Sequence, residues 1–99
     1  FTFFANKVPQ RFIQMAVVMG KDTSIVAPEK RPMLFVEALN ELQEKCGVAN
    51  LKMSDYGIKH DEIKTLAQNA QDTMGFLFTL DRYILNLDET IEIFKAAYK

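Results

Sequence analysis

One stretch near the middle of the chain constrains the fold more strongly than any other. Between Gly57 and Gly75, apolar residues recur at the spacing i, i+3, i+4, i+7 and i+11, which is the pattern of an amphipathic α-helix. These residues are Ile63, Leu66, Ala67, Ala70 and Met74. We therefore predict a helix from about His60 to Met74 that Gly75 stops, followed by an apolar loop at 76–78.

Two further helices are predicted before this stretch. The first spans roughly residues 8–19 and is apolar nearly all round, which indicates burial on more than one side. The second is amphipathic and ends at Gly47, while its start is left open between Pro28 and Pro32. Its predicted apolar face consists of Leu34, Phe35, Ala38, Leu39, Leu42 and Cys46.

The C-terminal part of the chain predicts a last helix and a short one. Asn86 is followed three positions later by Glu89, the spacing of a capping box at a helix start. The face of this last helix is predicted to hold Leu87, Ile91, Phe94, Ala97 and Tyr98. A single turn is expected at 51–56, and no segment alternates with the period of a strand. The predicted fold class is all-α, a compact bundle of four principal helices and a short fifth.

Composition excludes several classes of function. Ninety-nine residues, 48% of them hydrophobic, suit one helical domain covering 1–99. A formal net charge of −1 provides no basic surface for nucleic acid, and no apolar run is long enough to span a membrane. The single cysteine, Cys46, rules out an internal disulfide and fits a reducing compartment, so we expect a cytoplasmic protein.

Few residues suggest chemistry. His60 is the only histidine, and its neighbours Asp61 and Glu62 point in different directions on a helix, so we interpret it as an exposed first-turn residue and predict no metal ligand. Cys46 is interpreted as a small buried hydrophobe rather than a nucleophile. We predict no catalytic and no cofactor-binding residue. Met74, Gly75 and Phe76 are the candidates for lining a pocket that takes an apolar substrate.

The order of several short motifs is similar to the C-terminal end of iron-dependent (group III) alcohol dehydrogenases, in particular their butanol-dehydrogenase-like branch. The resemblance covers essentially the whole chain. The motifs are Val8-Pro9-Gln10-Arg11-Phe12, Met19-Gly20, Cys46-Gly47-Val48, Tyr56-Gly57-Ile58, the Ile63, Leu66, Ala67 and Ala70 series, and Leu87-Asp88-Glu89-Thr90-Ile91 with Ile93-Phe94 and Ala97-Tyr98. The chain departs from the family where many members have Asn-Pro-Arg, because it reads Leu80-Asp81-Arg82-Tyr83 there.

The resemblance implies a fold and an activity that composition does not show. It implies the C-terminal part of a dehydroquinate-synthase-like helical domain, in an enzyme that interconverts primary alcohols and aldehydes with NAD(P) and a divalent metal, Fe(II) or Zn. The metal ligands and the glycine-rich cofactor motif of the family precede the part that matches Phe1. No such residue is therefore carried onto this chain, and its implied partners are the rest of its own polypeptide and, as an open alternative, a second subunit.

The start of the chain also favours a piece of a longer protein. Phe1, Phe3 and Phe4 begin inside an apolar pattern, whereas natural chain ends are usually polar. We expect a C-terminal fragment that is inactive alone. The alternative hypothesis is a free-standing helical interaction module that docks its apolar segment 1–19 on a partner.

Overall fold

A computed structural model describes residues 1–99, and every regular element in it is a helix. Five α-helices follow one another, and short 3₁₀ turns lie at Pro28–Lys30, Met53–Tyr56 and His60–Glu62. The α-helices are α1 (Thr2–Lys7), α2 (Pro9–Val18), α3 (Met33–Lys45), α4 (Ile63–Phe78) and α5 (Leu87–Ala97). The prediction of an all-α chain without strands is confirmed. None of the helices combines the length and the apolar character that a membrane span requires.

The chain divides into two compact units, residues 1–50 and residues 51–99. The first holds α1, α2 and α3, and the second holds α4, α5 and the last two 3₁₀ turns. That the whole chain forms one domain stays a prediction.

In the first unit, a break at Val8 separates α1 from α2. Pro9 occupies the first turn of α2, where its missing N–H costs no helical hydrogen bond. At the other end, Gly20 has a φ of +83°, and the Lys21 N–H donates to Ala16 O at 3.0 Å. Glycine is suited to this left-handed position, so α2 ends where its sequence predicts.

The start of α3 settles the choice between the two prolines. Pro28 opens a separate 3₁₀ turn, and Pro32 directly precedes the first residue of α3, Met33. Both prolines therefore stand at N-terminal positions, where no backbone hydrogen bond is lost. The Arg31 side chain reaches back across the 3₁₀ turn, because its Nε donates to Val26 O at 3.0 Å.

The core of the first unit is aromatic and small. Phe12 and Phe35 are buried, and their ring centroids lie 5.4 Å apart in an edge-to-face arrangement. Phe1 adds an edge-to-face contact with Phe35 at 5.8 Å. Ala5 and Ala16 are fully buried beside these rings, and small side chains at such positions let helix backbones approach closely. This cluster contains one residue from α1, two from α2 and one from α3, so it lies where the three helices meet.

The predicted apolar face of α3 is only partly buried. Phe35 and Ala38 are buried and Leu34 and Leu39 are half-buried, but every residue from 40 to 48 is exposed. The prediction of a buried Cys46 is therefore wrong. The buried positions of α3 lie in its first two turns, and periodicity along a helix does not reveal where its packing partners stop.

In the second unit, α4 ends four residues later than predicted. The prediction that Gly75 stops this helix and that 76–78 form a loop is wrong, because α4 continues to Phe78. Gly75 has no positive φ, unlike the three other glycines. A glycine inside a helix costs only about 1 kcal/mol, and α4 ends instead in shorter-range bonds, from Thr79 N to Phe76 O and from Leu80 N to Leu77 O, both 3.1 Å.

The start of α5 agrees with its sequence signature. Asn86 Oδ1 accepts from Glu89 N at 2.9 Å, and Glu89 Oε2 accepts from Asn86 N at 3.1 Å, so the predicted capping box is confirmed. Of the predicted face, Leu87, Ile91 and Phe94 are half-buried, whereas Ala97 is exposed. Tyr98 lies just beyond the helix, and its hydroxyl donates to Ile58 O at 3.2 Å.

Candidate functional site

The residues predicted to line a substrate pocket lie in the last turns of α4. Met74 is 55% exposed and Phe76 is 74% exposed, so both side chains are open to a ligand or to another protein segment. They are two positions apart, which places them about 200° apart around a helix. Met74 and Phe76 therefore face different directions, while Met74 and Leu77, three positions apart, share a face. That Met74, Gly75 and Phe76 line a cleft stays a prediction.

Gly75 lies between these two side chains and leaves open space. A side chain added at this position would meet no atom within 4 Å. The glycine is thus required neither by backbone conformation nor by close packing in the described structure.

The loop after α4, residues 79–86, is anchored at its far end. The Tyr83 hydroxyl donates to Glu89 Oε1, and the other oxygen of this carboxylate serves the capping box at Asn86. One carboxylate thus fixes both the loop and the start of α5. The first half of the loop has only local bonds, such as Arg82 N to Asp81 Oδ1 at 2.7 Å.

A second anchor crosses between the two helices. Gln71 on α4 donates from Nε2 to Thr90 Oγ1 at 2.8 Å and to Leu85 O at 3.2 Å. Thr90 in turn donates to Asn86 O at 2.8 Å and is only 4% exposed. This link sets the loop end against α4. The sequence reasoning missed it, although Gln71 follows Ala67 by four positions and Thr90 follows Leu87 by three, so both polar residues stand on faces that otherwise read as apolar.

His60 is exposed, as predicted, and stands at the start of the 3₁₀ turn that precedes α4. Its ring makes an edge-to-face contact with Tyr98 at a centroid distance of 5.2 Å. No group of three or more histidine, cysteine or acidic residues is arranged to hold a metal ion. Cys46 directly follows α3 and belongs to the first unit, whereas His60 belongs to the second.

Two open depressions lie on the second unit, and neither involves the predicted pocket residues. One, of about 280 Å³, is mainly apolar and lined by Leu51, Lys52, Met53, Tyr56, Ile58 and Ala97. The other, of about 410 Å³, follows the polar outer face of α4 and is lined by Lys64, Thr65, Gln68, Asn69 and Asp72. Within the second, Gln68 Nε2 already donates to Asp72 Oδ1 at 2.8 Å. Neither depression has the enclosed shape and convergent polar groups of a catalytic pocket.

Two carboxyls of the first unit, those of Glu41 and Asp22, have lowered pKa values because of surface contacts. Lys21 Nζ lies 2.6 Å from Glu41 Oε1, and this hydrogen-bonded ion pair lowers the pKa of the Glu41 carboxyl. Asp22 accepts hydrogen bonds from the Ser24 hydroxyl and the Ser24 N–H, which lower the pKa of its carboxyl. Both carboxyls are exposed, so these shifts describe surface geometry rather than an acid–base centre.

Comparisons with protein-family models, with curated proteins and with solved structures each give no match.

Proposed function

We propose that this chain is the C-terminal helical part of an iron-dependent alcohol dehydrogenase of the butanol-dehydrogenase-like branch. The complete enzyme would interconvert primary alcohols and aldehydes with NAD(P). In it, the helices of this chain would take the dehydroquinate-synthase-like arrangement, support the metal site and close one side of the substrate cleft. The observation that carries the proposal is the ordered set of motifs that extends over essentially the whole chain.

The positions of these motifs on the helices support the proposal. Val8-Pro9 starts α2 and Met19-Gly20 ends it, while Cys46-Gly47 directly follows α3. Gly57 closes the 3₁₀ turn before α4, and the Leu87 motif begins α5 behind its capping box. Each motif thus lies at the boundary of an element or on a helix face. Such positions are expected when a helical fold determines the spacing between motifs.

The residues of this chain do not fit the iron site of such an enzyme. A divalent metal needs several nitrogen, sulfur or oxygen ligands that converge, and no group of three or more candidate ligands is present. The four glycines lie at separate places, so no glycine-rich phosphate loop for NAD(P) is formed either. Metal and cofactor would be held by other parts of the polypeptide, and no chemical step is assigned to residues 1–99.

The role proposed for this chain is therefore structural: it would form part of the cleft wall and hold the adjoining loop. Met74 and Phe76 present apolar side chains on different faces at the end of α4, and on either face such a side chain would suit the wall of a cleft that takes an aliphatic alcohol. Tyr83 and Gln71, through their bonds to Glu89 and Leu85, would hold the adjoining loop in one position. These bonds supply an anchor at the point where many members of the family have Asn-Pro-Arg.

The test compares two proteins from the same gene, the complete polypeptide and the isolated chain 1–99. Each is purified, loaded with Fe(II) or Zn(II) under anaerobic conditions, and analysed for bound metal and for oxidation of NADH and NADPH with butyraldehyde. We expect stoichiometric metal and aldehyde-dependent oxidation in the complete protein and neither in chain 1–99. Tight stoichiometric metal binding by the isolated chain would overturn the proposal, as would a metal-loaded complete protein that is inactive with every primary aldehyde tested.

The alternative is the free-standing helical interaction module, and one observation favours it. Val18 is 86% exposed and its neighbour Val17 is also exposed at the end of α2, so this helix offers apolar side chains for docking. The two hypotheses differ in the size of the native polypeptide. A native mass several times that of 99 residues favours the dehydrogenase, and a mass equal to that of 99 residues favours the module.

A further inference from the structure

We draw no further inference here: the strongest candidate, the exposed apolar surface of Met74, Leu77, Leu80 and Ile84 at the C-terminal end of α4 and in the loop that follows it, carries none because nothing in the structure shows what covers it.

Discussion

Inside each of the two units, a different kind of contact holds the helices together. In the first, Phe1, Phe12 and Phe35 pack edge to face around two buried alanines, and the polar side-chain contacts lie on or near the surface. In the second, the buried set of Ile63, Ala67 and Leu85 is smaller in volume, and the hydroxyl of Thr90 is buried with it. The comparison shows that helices with similar apolar periodicity can be held by aromatic packing in one unit and by buried hydrogen bonds in the other.

The difference has an energetic reason. A buried phenylalanine removes a large apolar area from water and gains aromatic contacts, so it contributes strongly to the free energy of unfolding. A buried hydroxyl or amide contributes little net free energy when it is paired but is costly when its partner is removed. We therefore expect the first unit to respond most to loss of apolar volume and the second to loss of hydrogen-bond partners.

The largest effect is expected from Phe12→Ala. Phe12 is 4% exposed and packs on Phe35, so its removal should lower the free energy of unfolding by about 3–5 kcal/mol. Urea titration followed by the amide NMR signals of residues 10–18 assigns the loss to the first unit. Phe12→Leu, which keeps most of the volume, should cost less and provides a measurable variant if the alanine protein does not fold.

The matched control for this substitution is Val18→Ala on the same helix. Because Val18 is 86% exposed, the change should stay within about 0.5 kcal/mol. A cost for Phe12→Ala no larger than that of Val18→Ala would show that the aromatic cluster does not stabilise the first unit.

The second unit should respond to Gln71→Met, which keeps the length of the side chain and removes its amide. Thr90 Oγ1 and Leu85 O then lose their donor, and a cost of about 1–3 kcal/mol is expected in the same titration, read from signals of residues 63–97. Gln68→Met is the control, since Gln68 is on the exposed face of α4 and its bond to Asp72 lies at the surface. That control should change stability by no more than about 0.5 kcal/mol.

A double-mutant cycle with Thr90→Val tests whether the two polar groups act together. Contacting residues typically show coupling energies of about 0.5–3 kcal/mol, so the double variant should lose less than the sum of the single losses. Additive losses would mean that Gln71 and Thr90 stabilise the second unit separately. The two units would then differ only in how much apolar volume they bury, and not in the use of a coupled polar pair.

A smaller effect is expected at the start of α5 from Asn86→Ala. The alanine side chain cannot accept from Glu89 N, and loss of such a cap typically costs about 1 kcal/mol. The measurement is hydrogen exchange of the Glu89 amide, which should become faster. Asn86→Ser keeps an acceptor oxygen and should preserve most of the protection, whereas equal acceleration by serine and alanine would contradict the capping role.

Two glycines provide a pair of substitutions with opposite expected signs. Gly75→Ala in α4 should stabilise the chain by about 0.5–1 kcal/mol, because the position is helical and the added methyl group meets no atom. Gly47→Ala, just after α3, should destabilise it, because Gly47 has a φ of +72°. Thermal unfolding measures both. A lowered melting temperature for Gly75→Ala would indicate that this position is not an ordinary helix interior.

The same glycines show how much of the fold the sequence could predict. The ends of α2 and α3 before Gly20 and Gly47, and the start of α5 at the Asn86–Glu89 pair, are predicted correctly. These signals are local, because each depends on the backbone geometry of a few neighbouring residues. The predicted helix end at Gly75 is wrong because a glycine is tolerated inside a helix at modest cost, and nothing local separates that case from a helix end.

What could not be predicted depends on contacts between distant residues. Cys46 and Met74 continue their apolar faces by spacing, yet both are exposed because burial depends on where the neighbouring elements end. Conversely, Gln71 and Thr90 interrupt apolar faces, and only the folded hairpin brings them within 2.8 Å. The candidate site remains a prediction for the same reason: its residues, Met74, Gly75 and Phe76, are open to partners that these helices do not supply.

The smallest effect is expected at the surface of the first unit, where Lys21 pairs with Glu41. The pKa of Glu41 is lowered by the hydrogen bond and the charge of Lys21, so it should titrate below the ordinary glutamate value of 4.5 in an NMR titration of its carboxyl carbon. A lowered folded-state pKa stabilises the fold above the unfolded-state value, and this contribution is lost as pH falls through the folded-state pKa. Lys21→Met should return the pKa to about its ordinary value, and high salt should reduce the shift. Because the pair is exposed, Lys21→Met should lower the free energy of unfolding at pH 7 far less than Gln71→Met does. An equal loss in the two variants would mean that this surface ion pair stabilises the first unit as much as the Gln71 hydrogen bonds stabilise the second.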